Sequence, residues 1–383
     1  MGELILIKED MKKWFLLATV LFGWLSANIL NAQDLGDAKA NTFRVMSYNV
    51  RNGKGMDDSV SLRRVADAIL KVAPDVVAVQ ELDSVTGRSK QVDVLRALGE
   101  EVLMYPTYAP AIDFNGGKYG VGMLSKEKPL GFHYLPLPGR EERRTLLCVE
   151  FEKFVFCCTH LSLTEEDRAL SLPIIRAEAA KTNKPLLIAG DWNAEPTSAF
   201  VQEIQKDFVI LTDTTKKTFP ASEPEICIDY IACYKNKELP LTRLFTWVPE
   251  EAMASDHRPV VVDVRLKAKK EEIFYEKPYL QDPTSDGITV MWQTKVPTYS
   301  WVEYGTDTLH LQKTHTLVDG QVLCNGLHNK VRLTNIQPGQ KYYYRVCSRE
   351  ILVYKSYEKQ LGETAVSPFY TFTTPEKNEG DFT

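Results

Sequence analysis

Residues Leu186–Asn193 read LLIAGDWN, and residues Ser255–Val262 read SDHRPVVV. In each, a run of apolar residues meets a tight group of amide, acid or imidazole side chains. A short apolar run bounded by turn residues reads as a buried strand. In α/β sheets ligands gather at strand ends, so polar groups placed there are candidates for chemistry. The same construction recurs upstream in VMSYN ending at Asn49, DVVAVQE ending at Glu81 and FVFCCTH ending at His160. Five strands that deliver Asn, Glu, His, Asp and Asn to their ends form one constellation.

The chain around these strands reads as α/β from Asn41 onward. Strands are expected at Phe43–Asn49, Asp75–Glu81, Tyr119–Leu124, Thr145–Phe151, Phe154–His160, Ile228–Tyr234, Leu241–Val248 and Pro259–Leu266. A helix over Ser61–Val72 places Leu62, Val65, Ala66, Ile69 and Leu70 on one face. Short helices follow at Val92–Leu98 and Ser198–Phe208, and a longer one spans Glu165–Lys181, where Pro173 either kinks or divides it. Met104–Lys118 and Leu211–Cys227 read as loops. Lys267–Glu272 is a charged connector, and beyond it GITVMWQT, SWVEYGT, KVRLTNI and KYYYRVC are short β-rich runs between turn residues, the texture of a β-sandwich with Trp292 in its core.

With 383 residues the chain is long enough for two domains. A formal charge of −5 gives no basic bias, which argues against a stable complex with a long nucleic acid. Lys12 and Lys13 precede an apolar stretch, Trp14–Leu25, that is shorter than the roughly 20 residues a bilayer span needs. Residues 1–32 therefore read as a secretory signal cut after Ala32, with an uncleaved anchor as the alternative, and residues 1–10 as an extension upstream of a start at Met11. The expectation is an exported monomer with no transmembrane segment once the signal is removed. Cys148, Cys157 and Cys158 lie inside strands as small buried hydrophobes, and export permits Cys324–Cys347 and Cys227–Cys233 as candidate disulfides. The sequence carries no CxxC pair.

Asn49, Glu81, Asp191, Asn193 and Asp256 supply oxygen donors, the set that hard divalent cations prefer, so Mg²⁺, or Mn²⁺ in its place, is favoured over Zn²⁺. His160 and His257 are the imidazoles suited to acid–base work, and Asp229 offers the carboxylate that orients one of them. His133, in GFHYLP, reads as structural. The sequence has neither a serine-nucleophile motif nor a phosphate-cradling GxxxxGK.

The ordered set SYNVRNG, VQELD, GGKYGVGMLS, CCTHLS, AGDWN, CIDYIA and SDHRPVVV resembles the endonuclease/exonuclease/phosphatase superfamily, which includes deoxyribonucleases, neutral sphingomyelinases and inositol polyphosphate phosphatases. The resemblance implies a four-layer α/β sandwich over residues 41–267, with its site at one edge of two packed sheets. It implies that Asn49 and Glu81 hold the metal with Asp256 beside it, and that Asp191 and Asn193 orient the attacking water and the phosphate. His257, oriented by Asp229, becomes the general base or proton carrier, and His160 stabilises charge developing on the phosphate. Tyr119 and Arg144 become phosphate contacts, with Arg140 and Arg143 close to the second in sequence. Apurinic-site endonucleases, which resemble this family too, carry an acid two places after the first Asn; this chain has Arg51 there, and His at 160, which favours the sphingomyelinase-like and deoxyribonuclease-like branches.

Residues 273–375, through KPYLQDPTSDGITVMWQT, WVEYGT and LTNIQPGQKYYYRV, resemble the N-terminal fibronectin-like domain of purple acid phosphatases. That family's dinuclear-metal motifs are not found here, so its activity is not implied. The expected protein is thus a divalent-metal-dependent hydrolase of phosphoric esters, chiefly phosphodiesters. A nuclease and a non-catalytic surface-binding protein are the alternatives.

Overall fold

The computed structural model describes residues 41–235, 239–268 and 270–376. The signal-peptide reading falls on residues outside that range. The chain divides into two compact units, one over Thr42–Leu266 and one that begins at Lys267.

The first unit opens with β1 (Thr42–Asn49), α1 (Leu62–Val72), β2 (Val76–Ser84), α2 (Val94–Val102), β3 (Tyr105–Phe114) and β4 (Gly117–Ser125). It continues with β5 (Gly131–Leu137), β6 (Arg144–Glu150), β7 (Val155–His160), α3 (Glu165–Ala179) and β8 (Leu186–Asp191). It closes with α4 (Ala199–Ile204), β9 (Phe208–Ile210), β10 (Asp229–Tyr234), β11 (Leu241–Trp247) and β12 (Val260–Leu266). Two mixed six-stranded sheets result, in the orders β11-β12-β1-β2-β4-β3 and β5-β6-β7-β8-β10-β9.

Alternation along each strand builds the layers. Val45, Ala78, Val121, Leu147, Phe156, Cys158, Leu187 and Ile231 meet between the sheets. Met46, Tyr48, Val77 and Val79 face outward to α1 and α2. Cys148, Cys157, Leu186 and Ile188 face outward to α3 and α4. This is the four-layer α/β sandwich that the resemblance implies. Helix α1 starts where the Ser61 side chain caps the Arg64 N–H. Leu70, expected on its buried face, is instead exposed.

Several local expectations need correction. Helix α3 runs through Pro173 without dividing. The stretch read as a loop at Met104–Lys118 contains β3, hidden from pattern reading because Pro106 and Pro110 interrupt its alternation. Both prolines are tolerated because β3 is the outer strand of its sheet. Strand β5, also unread, is the edge of the other sheet and carries Pro136. The candidate disulfides do not form, since all four cysteines are free. Cys233 faces the inter-sheet core and Cys227 the α3 side, so a sheet separates them. Cys324 lies against the hydroxyl of Tyr354, a residue seven places along the strand from Cys347.

The second unit is all antiparallel. Its long strand Gly287–Gly305 pairs through its first half with Tyr279–Thr284 and Gly326–Thr334, and through its second half with Gln312–Thr314 and Lys341–Tyr354. One strand thereby serves both groups of neighbours. Trp292 is buried as expected, and its indole N–H donates to Ser348 Oγ at 2.9 Å.

A Cβ added to Gly190 would stand 1.9 Å from the Thr159 carbonyl oxygen, so β7 and β8 approach too closely there for a side chain. Gly190→Ala is expected to cost at least about 2 kcal/mol, in the range where backbone strain dominates, as read from urea unfolding.

Candidate active site

The inner-face positions of β1, β7 and β8 advance in steps of two and end on Asn49, His160 and Asp191. Asp229 starts the antiparallel β10 at the same edge, directly opposite Asp191. His160 is also paired with Asp191 across β7 and β8. Strict alternation would have turned Glu81 to the helix side. Instead the β2–β4 register shifts between Val79 and Leu82, and Glu81 takes a left-handed φ of 59°. This bulge re-aims its carboxylate to the site.

Asp191 is the meeting point. Its Oδ2 accepts from Asn49 Nδ2 at 3.1 Å and lies 3.5 Å from His160 Nε2 and 3.6 Å from His257 Nε2. Its Oδ1 accepts from the Asn193 N–H at 2.9 Å. Asn49 Nδ2 also donates to Glu81 Oε1 at 3.0 Å. Asp229 Oδ2 holds His257 Nδ1 at 2.9 Å, and the ring of Phe219 packs against His257 with centroids 4.8 Å apart. Asp256 is drawn aside to Arg51 Nε at 3.3 Å. Asn193, left-handed at φ 47°, commits its amide N–H to the Leu161 carbonyl at 2.9 Å and so ties the ends of β7 and β8 together.

Burial pushes the Glu81 carboxyl up, and the charges of Asp256 and Asp191 add to this against the Asn49 hydrogen bond. Burial opposes charge on His257, but Asp229 and Asp191 outweigh it and raise the imidazole to about 10. His160, buried with less compensation from Asp191, falls to about 4 and is neutral near pH 7. Two adjacent histidines therefore hold opposite protonation states.

Tyr119 and Arg144 lie to one side. The Tyr119 hydroxyl is pushed up by burial and by the charges of Glu81 and Glu142, against those of Arg144 and Arg88. Of the three arginines near position 144 in sequence, Arg140 is spent on Asp167, to which its guanidinium donates at 3.1 and 3.2 Å. Arg144 is buried between Glu141 and Glu142, and its Nε has no partner among the described residues. Sequence reading missed Arg88, which grips buried Asp83 through two 2.8 Å hydrogen bonds and lies over the rings of Phe114 and Tyr119. The signal was Asp83 in VQELD, since a buried acid needs a cation. It also missed Ser255, whose hydroxyl donates to the Asn49 carbonyl at 2.7 Å and fixes the SDHRP loop on β1.

The sequence over residues 46–257 matches the Endonuclease/Exonuclease/phosphatase family. The chain belongs to that family. Residues 277–374 match the purple acid phosphatase N-terminal domain. Among solved structures, an endonuclease/exonuclease/phosphatase from Beutenbergia cavernae DSM 12333 is similar at 17% identity and a TM-score of 0.51, over 87% of this chain and all of that one. At that identity the likeness is one of fold. A mannosyl-6-phosphatase from Bacteroides thetaiotaomicron VPI-5482 aligns at 16% identity and TM-score 0.46, over 58% of this chain and 99% of its own. The human Nocturnin catalytic domain aligns at 17% and 0.45, over 59% and 95% respectively. No curated protein matches the sequence.

The endonuclease/exonuclease/phosphatase unit here has the donor set for a divalent ion. One ligand atom each from Asp191, Asp229 and His257 lies within 4.8 Å of the others. Asp229 Oδ1 is buried without a hydrogen-bond partner among the described residues. Four acids, Glu81, Asp191, Asp229 and Asp256, gather at this edge, where His257 and Arg51 pair directly with three of them and Arg88 and Arg144 stand further off, a concentration of carboxylates that suits a divalent cation.

The approach to Arg144 is pinned by Glu141, which accepts from Ser162 Oγ at 2.7 Å and the Leu163 N–H at 2.8 Å. Burial alone would raise its carboxyl, but these donors and Arg144 bring it down to about 2, from an ordinary 4.5. A folded value below the unfolded one stabilises above the unfolded value and is lost as pH falls through the folded one. Glu141→Gln should therefore lower the melting temperature relative to wild type at about pH 6, and the gap should close steadily below about pH 4.5 in thermal scans.

Proposed function

We propose that this protein is an exported, divalent-cation-dependent hydrolase of phosphoric esters, acting on phosphodiesters as a monomer and using Mg²⁺, with Mn²⁺ able to replace it. The observation that carries this reading is the convergence of Asn49, His160 and His257 on the Asp191 carboxylate, with Glu81 joined to it through Asn49, at one edge of the sandwich.

Glu81, Asp191 and Asn49 are the residues that would hold the ion, Asn49 by turning its amide oxygen inward, with Asp256 beside them; of the clustered donors Asp191, Asp229 and His257, the last two are committed to each other and would leave Asp191 to the ion. A bound divalent ion supplies charge neutralisation at phosphoryl oxygens and lowers the proton affinity of water. The protein's own groups do the remainder. Asp229 fixes the tautomer and ring plane of His257 and leaves Nε2 as the nitrogen that exchanges a proton. His257 holds its proton because Asp191 and Asp229 face it, so sharing Asp191 with a cation moves its affinity toward the range where a general base works. Neutral His160 offers a ring N–H to an oxygen that gains charge, without itself repelling an incoming cation. Asn193 braces Asp191 through its main-chain N–H. Tyr119 with Arg88 and Arg144 forms a flanking group of donors for a phosphate's outer oxygens.

Assay of the purified full chain on bis(p-nitrophenyl) phosphate tests the reading. Turnover should require Mg²⁺, disappear with chelator and return when the ion is restored. Glu81→Ala, His257→Ala and Asp229→Asn should each lower kcat by on the order of 10²-fold or more, with unchanged circular dichroism. Activity indifferent to chelation, or untouched by these changes, would overturn it. A parallel panel of sphingomyelin, phosphomonoesters and plasmid DNA separates substrate classes. For export, the amino terminus of the mature protein should be Gln33.

A further inference from the structure

A second cluster of imidazole, thiol and carboxylate side chains lies on the helix-facing side of the sheet that holds β5, β6 and β7, away from the acidic edge. His133 on β5 is directly opposite Cys148 on β6, and Cys148 is directly opposite Cys157 on β7. Three neighbouring strands thus place one imidazole and two thiols in a row on the outer face of the sheet. Glu178 on α3 descends onto that row. Its Oε1 meets His133 Nε2 at 2.7 Å, and the ligand atoms of His133, Cys148 and Glu178 all lie within 4.8 Å of one another. The two sulfurs are 3.0 Å apart.

We propose that His133, Cys148, Cys157 and Glu178 form a Zn²⁺ site, distinct from the phosphoester site and independent of its assignment. Two sulfurs, one nitrogen and one oxygen are the donors a borderline-soft ion selects, whereas Mg²⁺ and Ca²⁺ take oxygen alone. Cys157 joins the set through its sulfur, 3.0 Å from that of Cys148, and has to turn toward His133 and Glu178 to share the ion, while the 2.7 Å contact between those two has to open. Sulfurs sharing a tetrahedral Zn²⁺ at about 2.3 Å sit about 3.8 Å apart, so the thiols must separate by only about 0.8 Å.

Charge also balances. Two thiolates and the Glu178 carboxylate carry three negative charges, which a divalent ion and the Lys181 ammonium, 2.7 Å from Glu178 Oε2, offset. Both thiols and Glu178 are buried, while the His133 side chain is 56% exposed and gives the ion a way in. The alternative, a salt bridge roofing two inert core cysteines, leaves the alignment of the four donors without a use.

Reduced, metal-stripped full-length protein titrated with Co²⁺ should develop a near-ultraviolet thiolate-to-cobalt charge-transfer band at one equivalent, and Zn²⁺ should displace it. The acidic edge has no sulfur and cannot give this band. Cys148→Ser and Cys157→Ser should abolish it, Cys324→Ser should leave it intact, and His133→Ala, with unchanged circular dichroism, should weaken Co²⁺ binding tenfold or more. Absence of the band from reduced wild-type protein, or its survival in the Cys148→Ser/Cys157→Ser double variant, overturns the proposal. So does peptide mass spectrometry showing a Cys148–Cys157 disulfide in protein purified without reductant.

Discussion

Asp191 is the group on which the acidic edge depends. One of its oxygens is shared by an amide and approached by two imidazoles, and the other is held by the Asn193 main chain. A carboxylate this buried is stable only when its neighbours donate to it, and Asn49, His160 and His257 reach it from β1, β7 and the loop before β12. The two sheets must therefore be in register at that edge before the site exists. The close approach of β7 and β8 at Gly190, one residue earlier, fixes where Asp191 stands.

Much of this was legible in the sequence because strand alternation carries polar ends to a common face. Asn49, His160 and Asp191 sit where the period-two pattern of their apolar neighbours puts them. The Asp229–His257 pair was legible from residue chemistry, since a working histidine needs an orienting acid. Glu81 was legible as a residue but not as a geometry, because nothing in VVAVQELD announces that the backbone turns left-handed there. Edge strands were the other loss. Their prolines mimic loop signals, and only the neighbouring strand shows that the missing N–H groups point away from the sheet. Arg88 escaped because its importance comes from a buried partner, and burial of Asp83 is a tertiary fact.

The two histidines show how position sets role. Both touch the same carboxylate, yet only His257 has a second acid on its other nitrogen. That one extra partner separates a ring that keeps its proton from a ring that does not, and gives the site a charged and a neutral imidazole at the same pH. The edge where the sheets meet offers oxygen donors and the outer face of the second sheet offers sulfur, two sets that differ in hardness.

The prolines of β3 and β5 have a consequence beyond secondary structure. Each lies on an outermost strand, where an unprotected row of main-chain donors would invite a neighbouring molecule to add its own strand. Removing donors at Pro106, Pro110 and Pro136 leaves gaps in that template. At these two borders the sandwich resists growing into a polymer, which protects it at high local concentration and while it refolds.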